Sequence, residues 1–293
     1  MIEGASRRTL DCNGLSFSAY EMGAGPAVLC LHGFPDTAHT WCHTLPKLAR
    51  AGYRAVAVAL RGYETSSHPA DGDYSLAALA SDVPGWLDAL GVEKACLVGH
   101  DWGANIAYAA AVLCPDRIDR LVTMAVPHPS AFAAALIGDY EQMRRSWYIY
   151  LFQLRGMAEH VVEANAHAFL KRLWSDWSPG WTDQSSLASI ETAFAQPGVL
   201  AAALGYYRAA FDPAHPRAAE TQRLLGAPVL ARTLGLCGAN DGCIGPAIFE
   251  ASMPPALFPA GVRTVRIPNA GHFLHLEEPD VVNGEILNHL RSL

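Results

Sequence analysis

The stretch Ala95-Cys96-Leu97-Val98-Gly99-His100-Asp101-Trp102-Gly103-Ala104 decides the fold. Its first four residues read as a short buried strand. A Gly-x-acid-x-Gly turn follows, and Asn105-Ile106-Ala107-Tyr108-Ala109-Ala110-Ala111 leaves it with the composition of a packed helix. So sharp a strand-to-helix turn crowds the backbone, so Gly99 and Gly103 stand where a Cβ would clash. The layout is that of a nucleophile elbow with a carboxylate where serine usually stands. Asp101, at its tip, is held near a helix N-terminus, which favours negative charge. Alone, an aspartate in front of a helix is an ordinary N-cap. Its surroundings decide between the two readings.

Upstream of the elbow, Arg8–Asn13 and Leu15–Glu21 read as a hairpin around Asn13-Gly14, and Ala27–Leu31 and Arg54–Leu60 as buried strands. Leu76–Leu90 has helical spacing with a break or kink expected at Pro84. Downstream, Leu121–Val126 is another strand. After Pro127-His128-Pro129 strand runs cease, and a helical stretch carries four of the seven tryptophans (Trp147, Trp174, Trp177, Trp181). The strand pattern resumes with Val229–Cys237 and Val262–Ile267, and an amphipathic helix closes the chain from about Pro279. The expected organisation is an α/β core, residues 1–128 and 223–293, with a mostly parallel sheet flanked by helices. A helical cap, residues 129–222, is inserted over the strand ends, where open α/β sheets bind ligands.

Composition narrows the function. Of 293 residues 51% are hydrophobic, enough for a large core, and the formal charge of −7 is spread without basic blocks. Nucleic acid is therefore not an expected partner. Seven cysteines at 12, 30, 42, 96, 114, 237 and 243 form no Cys-x-x-Cys pair and read as free, mostly buried thiols in a reducing compartment. No apolar window reaches spanning length, and Arg7 and Arg8 have no apolar run behind them, so neither a membrane span nor a secretory signal is expected. The expectation is a soluble, cytoplasmic protein. A homodimer is compatible with the sequence.

Two later segments supply partners for Asp101. Gly238-Ala239-Asn240-Asp241-Gly242 follows one strand and Asn269-Ala270-Gly271-His272-Phe273 the next, placing Asp241 and His272 at the same sheet edge as Asp101. An aspartate nucleophile attacks saturated carbon and forms an alkyl ester. A histidine oriented by a carboxylate then activates the water that cleaves it. His32-Gly33-Phe34-Pro35 ends the strand Val28–Leu31 and can aim the Phe34 backbone N–H at the point served by the Trp102 N–H, giving an oxyanion hole. His32 and His100 read as structural histidines rather than bases, and His128 as part of the core-to-cap hinge. Trp174, Trp177 and Trp181 recur at helical spacing and read as cap packing.

Together these residues resemble the epoxide hydrolases of the α/β-hydrolase fold, over nearly the whole chain. The likeness rests on His32-Gly33-Phe34-Pro35, Arg61-Gly62-Tyr63, Gly99-His100-Asp101-Trp102-Gly103, Asn240-Asp241-Gly242 and Gly271-His272. It implies Asp101 as nucleophile, His272 as base and Asp241 as its partner, with no metal or organic cofactor. It also implies two cap tyrosines that hold and protonate the epoxide oxygen. Trp147-Tyr148-Ile149-Tyr150-Leu151-Phe152-Gln153 resembles the first segment and selects Tyr148, with Tyr150 as its rival. Tyr206-Tyr207-Arg208 resembles the second and selects Tyr207. Phenols suit the task because they donate a hydrogen bond to a developing alkoxide without burying a formal charge. Two departures from the family pattern are Glu64 after Arg-Gly-Tyr and Leu154-Arg155-Gly156 after the first tyrosine segment.

The expected activity is opening of small apolar or aryl epoxides by water to vicinal diols. Haloalkane dehalogenase is the nearest alternative, but Phe34 stands where an asparagine often binds the halide. A dehalogenase gripping a carboxylate would want arginines where Trp102 and Asn105 stand. A non-catalytic small-molecule-binding homologue would keep the same motifs, and only consumption of ligand separates it from the enzyme.

Overall fold

Successive apolar residues of the central strands face opposite ways, and each face is covered. Leu29, Leu31, Val56, Val58, Leu97 and Leu121 join one core with helix residues such as Leu79, Val83 and Ile106. Val28, Cys30, Ala55, Ala57, Val98 and Val122 join a second core with Leu45, Leu48, Val282 and Ile286. That is why the strands read as continuous apolar runs rather than as alternation. The computed structural model describes residues 2–181 and 183–291.

The sheet has eight strands: β1 (Ser6–Cys12), β2 (Leu15–Met22), β3 (Ala27–Leu31), β4 (Arg54–Val58), β5 (Ala95–His100), β6 (Ile118–Met124), β7 (Arg232–Gly238) and β8 (Val262–Ile267). Their order is β1-β2-β4-β3-β5-β6-β7-β8. The leading hairpin is antiparallel and joins β4 antiparallel, and every later pairing is parallel. At the far edge, β8 exposes Arg263 and Arg266, which pair with Glu285 at 2.6 Å and Glu250 at 2.7 Å.

The core helices are α1 (Thr44–Arg50), α2 (Leu76–Leu90) and α3 (Trp102–Leu113). Between β6 and β7 come α4 (Pro129–Gly138), α5 (Tyr140–Arg145), α6 (Trp147–Phe152), α7 (Met157–Trp177), α8 (Gln184–Phe194), α9 (Val199–Ala210) and α10 (Ala218–Gly226). The chain ends with α11 (Pro246–Ala251), α12 (Leu274–Glu277) and α13 (Pro279–Arg291). Of the break or kink expected at Pro84, the break does not occur, for α2 runs through it with Val83, Trp86 and Leu87 buried. One missing backbone hydrogen bond is outweighed there by apolar contact along the helix.

Candidate active site

The elbow is as tight as its glycines demand. A Cβ on Gly99 would lie 2.3 Å from the Gly103 carbonyl oxygen, and one on Gly103 would lie 2.0 Å from that of Leu31. Asp101 itself takes φ 53° and ψ −119°, a conformation that costs a non-glycine residue about 1–3 kcal/mol. Its N–H donates to the Met124 carbonyl, and its own carbonyl accepts from Ala104 and Asn105, so the strained turn is fastened on both sides. The side chain is buried, and Oδ1 accepts the Phe34 N–H at 2.7 Å. Gly33 makes this approach possible, because a Cβ there would fall 2.3 Å from Asp101 Oδ1. Of the two oxyanion donors expected, Phe34 is thus already engaged with the carboxylate. The Trp102 N–H, at the first position of α3, has no intrahelical acceptor.

The ends of β7 and β8 bring the remaining two polar partners. Asp241 Oδ2 lies 3.0 Å from His272 Nδ1, while Oδ1 accepts the N–H groups of Cys243 at 2.7 Å and Ile244 at 3.0 Å. His272 Nε2 has no hydrogen-bond partner and faces Asp101 Oδ2 at 3.6 Å. Burial pulls the His272 pKa down, but Asp241, Cys243 and Asp101 outweigh it and hold it well above the ordinary histidine value. The carbonyl of Trp177, at the end of α7, accepts both Gly242 N–H and His272 N–H at 3.0 Å, so one atom ties the two loops together.

Tyr148 on α6 and Tyr207 on α9 are both buried and share with Asp101 a cavity of about 440 Å³. Its other walls are largely apolar, with Leu76, Val126, Phe132, Leu136, Ile149 and Phe211. Tyr148 Oη meets Cys243 Sγ at 3.4 Å, and Tyr207 Oη has no protein partner. Burial first, then nearby groups including Asp101, push both phenols well above 10, so they remain hydrogen-bond donors. The rival Tyr150 is 40% exposed and donates to the Leu136 carbonyl instead. Tyr206 is spent on the Arg61 carbonyl at 2.7 Å.

His32 is structural in detail: Nε2 accepts Leu60 N–H and Nδ1 donates to the Gly33 carbonyl. His100 lies under the elbow, with Nε2–H donating to the His272 carbonyl. His128 sits at the mouth of α4 against Tyr108 and Phe258. Trp174 stacks on Phe273 at 3.8 Å, and Trp177 sits edge-on to His272 at 5.0 Å, closer to the site than packing alone implied. Sequence reading passed over Gln142, Asp36 and His275, and gave Cys243 and His100 no part beyond packing, whereas Asp36, His100 and His275 form one buried polar layer. None carries a local signal, because each acts on residues far along the chain. Asp36 Oδ2 and His100 Nδ1 are 4.0 Å apart, wider than the roughly 3.4 Å that two ligands of a tetrahedral ion span.

Comparison with known proteins identifies the family. The profile of the alpha/beta hydrolase fold family matches residues 26–279. A mouse protein named epoxide hydrolase 4 is 32% identical over 96% of this chain and 77% of its own length. An epoxide hydrolase of Caballeronia sordidicola is 31% identical over 99% of this chain and 95% of its own. The solved structure of an epoxide hydrolase from an endophytic Streptomyces superposes with a TM-score of 0.84 at 29% identity, covering 98% of this chain and 96% of that one.

Proposed function

Because this chain belongs to the epoxide hydrolases of the α/β hydrolase fold family, we propose that it opens epoxides to vicinal diols in two covalent steps. The observation that carries the reading is the convergence of the buried side chains of Asp101, Tyr148 and Tyr207 on one cavity, with His272 beside Asp101. In the first step Asp101 Oδ2 attacks an epoxide carbon and the ring C–O bond breaks. The hydroxyls of Tyr148 and Tyr207 stabilise the departing alkoxide, and one of them gives it a proton. In the second step His272 Nε2 takes a proton from water, which adds to the Asp101 ester carbonyl. Negative charge then collects on Oδ1, where the Phe34 N–H already points, with the Trp102 N–H as second donor. Collapse passes the hydroxyl proton of the intermediate to the departing alkoxide, releases the diol and restores the carboxylate, beside which His272 is again an imidazolium.

The stages are timed by charge. While Asp101 is ionised, its carboxylate helps to hold His272 protonated. Alkylation removes that charge, and the imidazolium gives its proton to the phenolate left by the first step, so His272 is a neutral base when there is an ester to hydrolyse. The apolar walls favour apolar or aryl epoxides. Residues 129–222 serve as the cap over the core formed by 1–128 and 223–293. No single helix among the described residues is long and apolar enough to cross a membrane, and all seven cysteines are free, which supports a cytoplasmic setting.

The test is the intact mass of His272→Gln after exposure to an equal mixture of an aryl epoxide and a bromoalkane. An epoxide adduct that disappears in Asp101→Asn/His272→Gln supports the proposal, and Asp101→Ala abolishes turnover. An alkyl adduct from the bromoalkane instead converts the reading to dehalogenation. No adduct from a folded variant, with no diol from the wild type, leaves a binding protein.

A further inference from the structure

The loop that carries Asp241 is held from two sides. From within, Asp241 Oδ1 accepts the N–H groups of Cys243 and Ile244. From the inserted helices, Gln142 on α5, itself buried, commits its whole carboxamide to the neighbourhood. Its Nε2 donates to the Cys243 carbonyl and to Ser146 Oγ, both at 2.9 Å, and its Oε1 accepts Gly245 N–H at 3.1 Å. Arg145, three residues on, donates to the Asp241 carbonyl at 2.8 Å. Ser146 lies two residues before Tyr148, whose hydroxyl meets Cys243 Sγ. Gln142 therefore grips the backbone on the far side of the acid loop and the segment that delivers the first tyrosine.

We propose that Gln142 is a positioning residue, resting on the reaction above: it fixes the Asp241 loop against the Tyr148 helix so that His272 is oriented for ester hydrolysis. A carboxamide suits the place because it offers two donors and an acceptor in one rigid plane. Leucine leaves the Cys243 carbonyl and the Gly245 N–H unpaired. Glutamate keeps the acceptor but sets an oxygen against the Cys243 carbonyl. Asp241 acts only by orienting and charging His272, so a displaced loop slows water activation more than it slows attack by Asp101.

The experiment compares wild type, Gln142→Leu and Gln142→Glu with styrene oxide, by rapid quench and intact mass. Ester formation is expected to stay within about twofold, because Tyr148 is still packed against Phe152, Trp177 and Tyr207, while ester hydrolysis slows about tenfold and the alkyl-enzyme accumulates. Hydrolysis requires neutral His272, and a weaker hold by Asp241 lowers its pKa. The acid limb of the hydrolysis profile therefore moves to lower pH in the variants. Both steps slowing equally, or an unmoved limb, overturns the role and leaves Gln142 as a fold residue. If the Gln142 variants fail to fold, Arg145→Gln removes the bond to the Asp241 carbonyl together with a half-exposed ion pair to Glu141, and shows the same partition, about threefold in size, which Glu141→Gln does not. Wild type that forms no diol overturns the reaction itself, whereas wild-type turnover with evenly slowed variants overturns only Gln142.

Discussion

Tyr148 and Tyr207 are set apart from their neighbours Tyr150 and Tyr206 by where four hydroxyls go. Two are spent on backbone carbonyls, at Leu136 and Arg61, and two open onto the cavity with Asp101. The proposed pair is set by what the hydroxyl is free to do, which residue type does not reveal. Tyr148→Phe and Tyr207→Phe each remove one donor to the departing oxygen and lower the ester-formation rate about 100-fold in stopped-flow alkylation. Tyr150→Phe leaves that rate unchanged. Tyr207 has the larger effect of the two, because its hydroxyl has no protein partner to compete with substrate, whereas Tyr148 touches Cys243.

Among elements, the end of α7 governs how the site is assembled. The Trp177 carbonyl receives an N–H from each of the loops bearing Asp241 and His272, and a Cβ on Gly242 would stand 1.9 Å from the Asp176 carbonyl oxygen. Gly242→Ala therefore pushes α7 off the acid loop. Turnover is expected to fall at least tenfold with a lowered melting temperature, measured by diol formation and by thermal unfolding. The core strands were legible in the sequence because burial on both faces makes apolar runs of strand length, and the Asp101 elbow because its glycines have a steric cause. Strand ends shifted: Val229–Cys237 was expected, and β7 begins at Arg232. A strand ends where pairing stops, which an apolar run does not mark. Gln142 and Cys243 were illegible because their partners lie about a hundred residues away in the chain.

At the scale of the whole molecule, the layer of buried histidines sets the response to acid. Burial lowers the pKa of His32 to about 4 and that of His275 to about 3, with His100 also well below its ordinary value. Each is neutral when folded and takes a proton when unfolded below about 6.5. Their stability contribution is present above that pH and is lost as pH falls toward the folded values. Asp36 runs the other way: burial raises it to about 8, so its cost grows as pH rises from about 4 to 8. Urea midpoints should thus fall from pH 6.5 to 4 in the wild type and fall less steeply in His275→Gln. Asp36→Asn should gain stability over the wild type at pH 8 and lose that advantage near pH 4.

The two ends of the sheet bear on how copies of the chain treat one another. Among the described residues neither β1 nor β8 has a strand on its outer side, so each offers a ladder of N–H and C=O groups to any passing strand. Both borders are polar: Arg7 and Arg8 are exposed on one, and Arg263 and Arg266 on the other. Adding a strand there would strip water from these guanidinium groups and from the glutamates that pair with three of them. The open sheet thus carries its own guard against fibrous aggregation at the two places where its geometry would otherwise seed it.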